Sequence, residues 1–255
     1  GSNDMIELLY KYTHPRNWCR FFGKENWSIR FTPPKELNDP YDCYPYVYDD
    51  NSELDIEELK KIERDIEYYK ILEEQYSVIP NKKMSYDDFI KYVNENYDYI
   101  LKALISNKKL YKKYAKETID YMVSNYGVLS LTDSHDNVLM WSHYADSHKG
   151  FVIGIDRNAK VIRDKLREVK YTSIRPKISY QEILRDKYDF SIKSSVWSYE
   201  KEFRAVTNLN YSPEIDWIDI KNGIAKLDKN IVCSITFGAA MTETEVDDKC
   251  KETSV

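Results

Sequence analysis

The pattern of apolar and polar positions changes character twice along the chain. Residues 6–12 (IELLYKY) and 28–32 (SIRFT) read as short strands, the second alternating polar and apolar. Pro33 and Pro34 end that strand, because proline supplies no ladder donor. The next stretch, ELNDPYDCYPY, is dense in Asn, Asp and Pro and predicts a structured turn. From residue 52 to about 125 the period becomes helical. Leu59, Ile62, Ile66 and Tyr69 recur at three- and four-residue steps. Ser85 with Asp88 predicts the cap of a second helix carrying Phe89, Val93, Tyr97, Ile100 and Leu104. A third helix carries Leu110, Ala115, Ile119 and Met122. From Gly127 the strand pattern returns in GVLSLTD, GFVIGID, EVKYTSI, EFRAVTN, GIAKLD and IVCSITFG. Further helices are predicted over 157–168, over 178–193 and at the polar C-terminal end.

Short strands with few βαβ units predict an α+β fold, with a mixed, mostly antiparallel sheet core. The strand-rich half and residues 6–47 are expected to share that core. A length of 255 residues allows one domain, 1–255, with residues 52–125 as a helical insert of about 75 residues within it. The insert's Lys- and Glu-rich faces match a solvated surface better than a chemical centre.

Composition narrows the function classes. The 38 basic residues are interleaved with 43 acidic ones, for a net charge of −5, and this argues against duplex nucleic acid as a partner. The absence of any apolar run of about 18 residues argues against a membrane span, and no charged-then-apolar leader precedes the first strand. Seven glycines form neither GxGxxG nor GxxxxGK. The four cysteines, Cys19, Cys43, Cys233 and Cys250, lack short pairings and read as free thiols of a reducing cytoplasm. Their spacing predicts no metal site. The 23 tyrosines are an excess suited to half-buried faces and ligand clefts, and a composition-biased genome would give the same excess.

Three constellations carry chemistry. Asn38, Asp39, Pro40 and Asp42 follow a strand, where loops commonly hold functional groups, although an Asx turn explains the same residues. Trp141, Ser142, His143 and Tyr144 offer two aromatic faces and a titrating imidazole. The plain alternative is a buried stripe of Trp141 and Tyr144 with His143 outside. In WSYEKEFR (197–204), a strand would align Glu200, Glu202 and Arg204 on one face, opposite Lys201 and Phe203. Such carboxylates can divide acid and base roles, or they form a solvent-facing ladder of little energetic weight.

These segments resemble the bacterial domain-of-unknown-function 2971 family. The resemblance rests on LLYKY (8–12), FTPPKELNDPYDC (31–43), GVLSLTDSHDNVLMWSHYADSHKGFVIGID (127–156) and WSYEKEFR (197–204). It implies a bacterial, cytoplasmic protein and supplies no reaction. A second likeness is to ADP-ribosyltransferases, in the order of LLYKY, SIRFT and SYEKEFR and in the Glu-x-Glu spacing of Glu200 and Glu202. The first strand departs from that pattern, with Tyr10, Lys11 and Tyr12 where His or Arg is expected.

The leading expectation is therefore an NAD-consuming ADP-ribosyltransferase or NAD glycohydrolase. NAD would be its substrate, with no metal required. Glu202 would stabilise an oxocarbenium-like sugar, Glu200 would orient the acceptor, and His143 would shuttle protons. Tyr10, Tyr12, Trp141 and Tyr144 would hold the ring, Asn38 and Asp39 would line the site, and Lys11 or Arg204 would meet the pyrophosphate. The alternative is a non-catalytic ligand- or protein-binding regulatory module. A third reading is a metal-dependent hydrolase or nuclease built on Asp39, Asp42, His143 and Glu202. The transferase predicts Tyr10, Asn38, Trp141 and Glu202 in one cleft. The binding module predicts Glu202 paired directly with Arg204 or Lys193, with no carboxylate left free. A nuclease predicts carboxylates converging on one point.

Overall fold

The computed structural model describes residues 7–23, 27–51, 57, 76–77, 84–106, 108–210, 218–219 and 223–253. In chain order the strands are β1 (Leu8–Thr13), β2 (Trp27–Arg30), β3 (Tyr46–Tyr48), β4 (Tyr126–Thr132), β5 (Phe151–Asp156), β6 (Leu166–Glu168), β7 (Lys170–Thr172), β8 (Lys177–Ser179), β9 (Ile192–Ser194), β10 (Glu202–Asn208), β11 (Ile218–Asp219), β12 (Ile224–Leu227) and β13 (Val232–Phe237). The α-helices are α1 (Trp18–Phe21), α2 (Tyr86–Glu95), α3 (Tyr97–Ile105), α4 (Lys108–Asn125), α5 (Val138–Tyr144), α6 (Lys160–Arg163), α7 (Tyr180–Leu184) and α8 (Glu243–Thr253). Helices and an antiparallel main sheet make the fold α+β. The chain divides into two compact units, one of residues 1–44, 123–175 and 190–255, the other of residues 45–122 and 176–189.

The first unit is built on a six-stranded sheet in the order β13-β5-β1-β4-β10-β6, with every neighbouring pair antiparallel. Alternate residues of a strand face opposite sides, and β5 shows the consequence. Phe151, Ile153 and Ile155 join Leu9, Leu129, Leu131, Phe203 and Ala205 in one core, while Val152 packs on the other face with Tyr12, Met140, Trp141 and Ala145. With neighbours on both edges and a core on both faces, β5 is buried along its first five residues. The strand at 27–30 departs from expectation. It joins β12 and β11 in a separate three-stranded sheet.

Two predicted helices are largely replaced by other structure. Over 157–168 only α6 is helical, because Leu166 is drawn into pairing with Ala205 at the sheet edge. Over 178–193 only α7 forms, opened by a Ser179–Glu182 capping box and followed by Asp186 in a left-handed conformation (φ 58°). The predicted strand EVKYTSI is two strands, β6 and β7, on either side of Val169, whose N–H donates to the Glu202 carbonyl at 2.9 Å.

The second unit holds β3 paired in parallel with β8, helices α2 and α3, α4 as far as Met122, and α7. The Ser85 cap is as predicted, its hydroxyl accepting from the Asp88 N–H at 3.1 Å. The helix expected to continue to Leu104 breaks at Asn96. There the side-chain amide donates to the Tyr92 carbonyl at 2.9 Å and so competes with the next helical turn. The expected helix through Leu59 and Tyr69 lies outside the described residues. No helix among the described residues is long and apolar enough to cross a membrane.

Candidate functional site

The first unit holds a buried network of charge. Arg204 is fully buried on β10, where register pairing sets Glu202 and Arg204 opposite Thr132 and Ser130, while Phe203 and Ala205 turn into the apolar core. All five guanidinium N–H groups are used. Nε donates to Glu202 Oε1 at 2.7 Å, the two terminal nitrogens grip Asp42 at 2.8 and 2.6 Å, and further bonds reach the Phe190 carbonyl and Glu202 Oε2. Lys193 donates to Glu200 at 2.6 Å and to Glu202 at 3.0 Å. Its ammonium lies 5.3 Å from the Trp197 ring centre. The Tyr144 hydroxyl donates to the other oxygen of Glu200 at 2.5 Å.

These contacts set the titration of the cluster. Burial would raise the Glu202 carboxyl, but the charges of Arg204 and Lys193 outweigh it and hold the group at about 2. Burial would lower Lys193, and the three carboxylates raise it instead. The Tyr144 hydroxyl is pushed up by burial and by its bond to Glu200. Glu202 is thus held as a carboxylate and Lys193 as an ammonium at neutral pH.

Glu200 corrects the sequence reading. It does not stand on the strand beside Glu202; it ends a 3₁₀ turn over Ser195–Glu200. Lys201 then takes a left-handed conformation (φ 42°), which brings Glu200 back to Lys193 from outside the sheet. The alternative of a solvent-facing ladder is not formed either, since Glu200 and Glu202 are both about 3% exposed.

A cavity of about 420 Å³ opens beside this network. It lies where the sheet forks. β1 pairs with β5 along its whole length, but meets β4 in register only at Tyr10 and Thr132. Val128 of β4 bonds instead with Thr32, in both directions, at 2.8 and 2.9 Å. Lys11 reaches into this fork, its ammonium donating to the Ser130 carbonyl at 3.3 Å. Among the described residues Lys11 and Arg20 have no carboxylate partner, although both line the cavity. Arg30, also on the wall, is paired with Glu36. Two buried polar atoms of the lining, Thr13 Oγ1 and Arg20 Nε, have no hydrogen-bond partner among the described residues. Burial first, then the charge of Arg20, lowers Lys11 to about 8, against an opposing pull from Glu202.

The cavity gathers most of the residues singled out in sequence. Tyr10, Lys11, Tyr12, Asn38, Asp39, His143, Tyr144, Glu200, Glu202 and Arg204 all line it. Trp141 does not. It is buried in the smaller core, edge-on to Tyr12 at 5.3 Å between ring centres, and donates its indole N–H to the His135 carbonyl. Trp141 thus takes the buried place of the stripe reading and His143 is exposed, whereas Tyr144 is half-buried and faces the cavity. Asp39 makes the Asx turn with the Tyr41 N–H and also accepts from the Trp197 indole at 3.0 Å. Asp42, Glu200 and Glu202 do converge, but around Lys193 and Arg204. Among the described residues no group of His, Cys, Asp or Glu is arranged to hold a metal ion. Thr13 and Arg20 were missed in sequence. Neither belongs to a motif; only Arg20 gives a sign, as the one charge inside the run WCRFF.

Residues 140–205, roughly a quarter of the chain, match a family described as protein of unknown function (DUF2971). The match supports the resemblance drawn from the motifs, and it takes in α5 from Met140, β5 and the 197–204 motif; the stretches at 8–12, 31–43 and 127–139 lie outside it. No curated protein and no solved structure matches the chain significantly. The likeness to ADP-ribosyltransferases finds no support in these comparisons.

Proposed function

We propose that the chain is a ligand-binding module whose cavity takes a small anionic molecule, with a phosphate-bearing compound as the best chemical fit. The observation that carries this reading is the uncompensated charge of the wall. Among the described residues, Lys11 and Arg20 face one cavity without a carboxylate partner, beside Thr13 Oγ1 and Arg20 Nε, which have no hydrogen-bond partner there. Partly buried cations and orphaned donors are costly unless a ligand completes them, and an anion supplies both charge and acceptors. The pairing of Glu202 with Arg204 and Lys193 supports a binding role over a catalytic one, because neither of its oxygens is left free.

The test is thermal unfolding of the purified chain with inorganic phosphate, pyrophosphate and a nucleoside diphosphate, against chloride at equal ionic strength. Pyrophosphate at a hundredfold excess over its Kd stabilises by about 2.7 kcal/mol, a Tm rise of roughly 5–10 °C for a domain of this size. Arg20→Gln abolishes the rise. Equal Tm values in all four solutions would sink the reading.

A second reading keeps the NAD-consuming enzyme. It is favoured by one observation, that Glu202 shares its cavity with Tyr10 and Asn38. It requires Glu202 to leave Arg204 or Lys193 when substrate enters. Nicotinamide release from NAD by the wild-type chain, lost in a folded Glu202→Gln variant, would establish it; no release at high protein concentration rejects it.

A further inference from the structure

The floor of the fork holds an amine in an unusual position. Lys11 shares the strand face of Leu9, an apolar core residue, so its side chain enters the cavity from the hydrophobic side. Among the described residues its ammonium has one long hydrogen bond, to a backbone carbonyl, and no carboxylate partner. Arg20 lines the same cavity and its charge disfavours the ammonium more than Glu202 favours it. A lysine desolvated and set beside another positive group is the arrangement that frees an amine for attack on carbonyl carbon. Lys193, in the same cavity, is the contrast. Three carboxylates hold it as an ammonium, so it has no lone pair to offer.

We propose that Lys11 forms an imine with the ligand, and that the cavity takes a small aldehyde or ketone bearing an anionic group, its carbonyl at Lys11 and its anion at Arg20 and Thr13. This rests on the anion-binding reading and specifies the ligand further. The neutral Lys11 nitrogen adds to the carbonyl carbon, forming a C–N bond as the C–O π pair moves onto oxygen. One proton passes from nitrogen to that oxygen. The resulting hydroxyl leaves as water with a second proton, and the product is the imine plus one water, with no change in oxidation state. The neutral amine that starts the sequence is accessible near neutrality, because burial and Arg20 hold Lys11 at about 8. Exposed lysines, at about 10.4, are some two hundredfold poorer in free amine at the same pH.

The test uses pyridoxal 5′-phosphate as a phosphate-bearing aldehyde probe and pyridoxal as its phosphate-free counterpart. Each is followed by borohydride reduction and peptide mapping of the full chain. The expected result is one label per chain, at Lys11, with pyridoxal needing at least about tenfold higher concentration, equivalent to ~1.4 kcal/mol. Pyrophosphate protects Lys11, and Lys11→Arg, which keeps a donor for the Ser130 carbonyl, removes the label. Label spread over exposed lysines without preference for Lys11, while pyrophosphate still raises Tm, overturns the imine and leaves the anion-binding reading standing. Equal labelling of Lys11 by both aldehydes, with no Tm response to pyrophosphate, removes the anion seat and the proposal as stated with it.

Discussion

Replacing Glu202 by Gln tests whether the charge network is structural. The substitution keeps the side chain's shape and one carbonyl oxygen, and removes the charge facing Arg204 and Lys193. In the fold the carboxyl sits at about 2, against an ordinary 4.5. At ~1.4 kcal/mol per tenfold in proton affinity, that difference contributes about 3 kcal/mol of stability at neutral pH. Because the folded value lies below the unfolded one, the contribution is complete above about pH 4.5 and is lost as pH falls through about 2. Roughly 1.4 kcal/mol remains at pH 3. Urea unfolding of both proteins at pH 7, 5 and 3 therefore shows a gap of at least about 3 kcal/mol at pH 7 that is smaller by about 2 kcal/mol at pH 3. The Gln amide meets two cationic donors with donors of its own, which adds a penalty that does not vary with pH. A gap below ~1 kcal/mol at pH 7, or one unchanged at pH 3, would refute the reasoning.

Lys11→Met is expected to stabilise the fold by about 1–2 kcal/mol at pH 7, after allowance for screening by solvent and for the lost bond to the Ser130 carbonyl. The folded value of about 8 lies below the ordinary 10.5, so wild-type stability rises with pH between those values. The variant lacks that rise, and parallel stability profiles from pH 7 to 10 would contradict the assignment. Tyr144→Phe leaves a buried Glu200 oxygen short of a donor and costs about 1–3 kcal/mol. Calorimetry should show a Tm lower by several degrees, and an unchanged Tm counts against the bond.

The family reading and the function separate at this point. The motif WSYEKEFR marks a segment that the match at 140–205 includes, and the structure makes that segment a charge-locked wall. A carboxylate pair at that spacing suggests acid–base division only while its partners are unknown. Here Lys193 and Asp42, neither of them in the motif, decide what Glu200 and Glu202 do.

The sequence by itself determined the elements whose cause is local. The strand runs at β1, β4, β5 and β10 were legible as short stretches rich in β-branched and aromatic residues. The Ser85 cap was legible because its bond spans three residues. The pairing of Glu202 and Arg204 on one face was also local, being set by the pleat. Tertiary structure alone decided the rest. Arg204 finds Asp42 across 162 positions, and Lys11 finds the Ser130 carbonyl across 119. Whether a charge is solvated, locked or left without a partner depends on which strands diverge and what fills the gap. That is settled by burial and chain crossing, which no short window of sequence encodes. The left-handed turn at Lys201 belongs with these. It moved Glu200 off the strand and into the network, at a residue type whose own preference gives no sign of it.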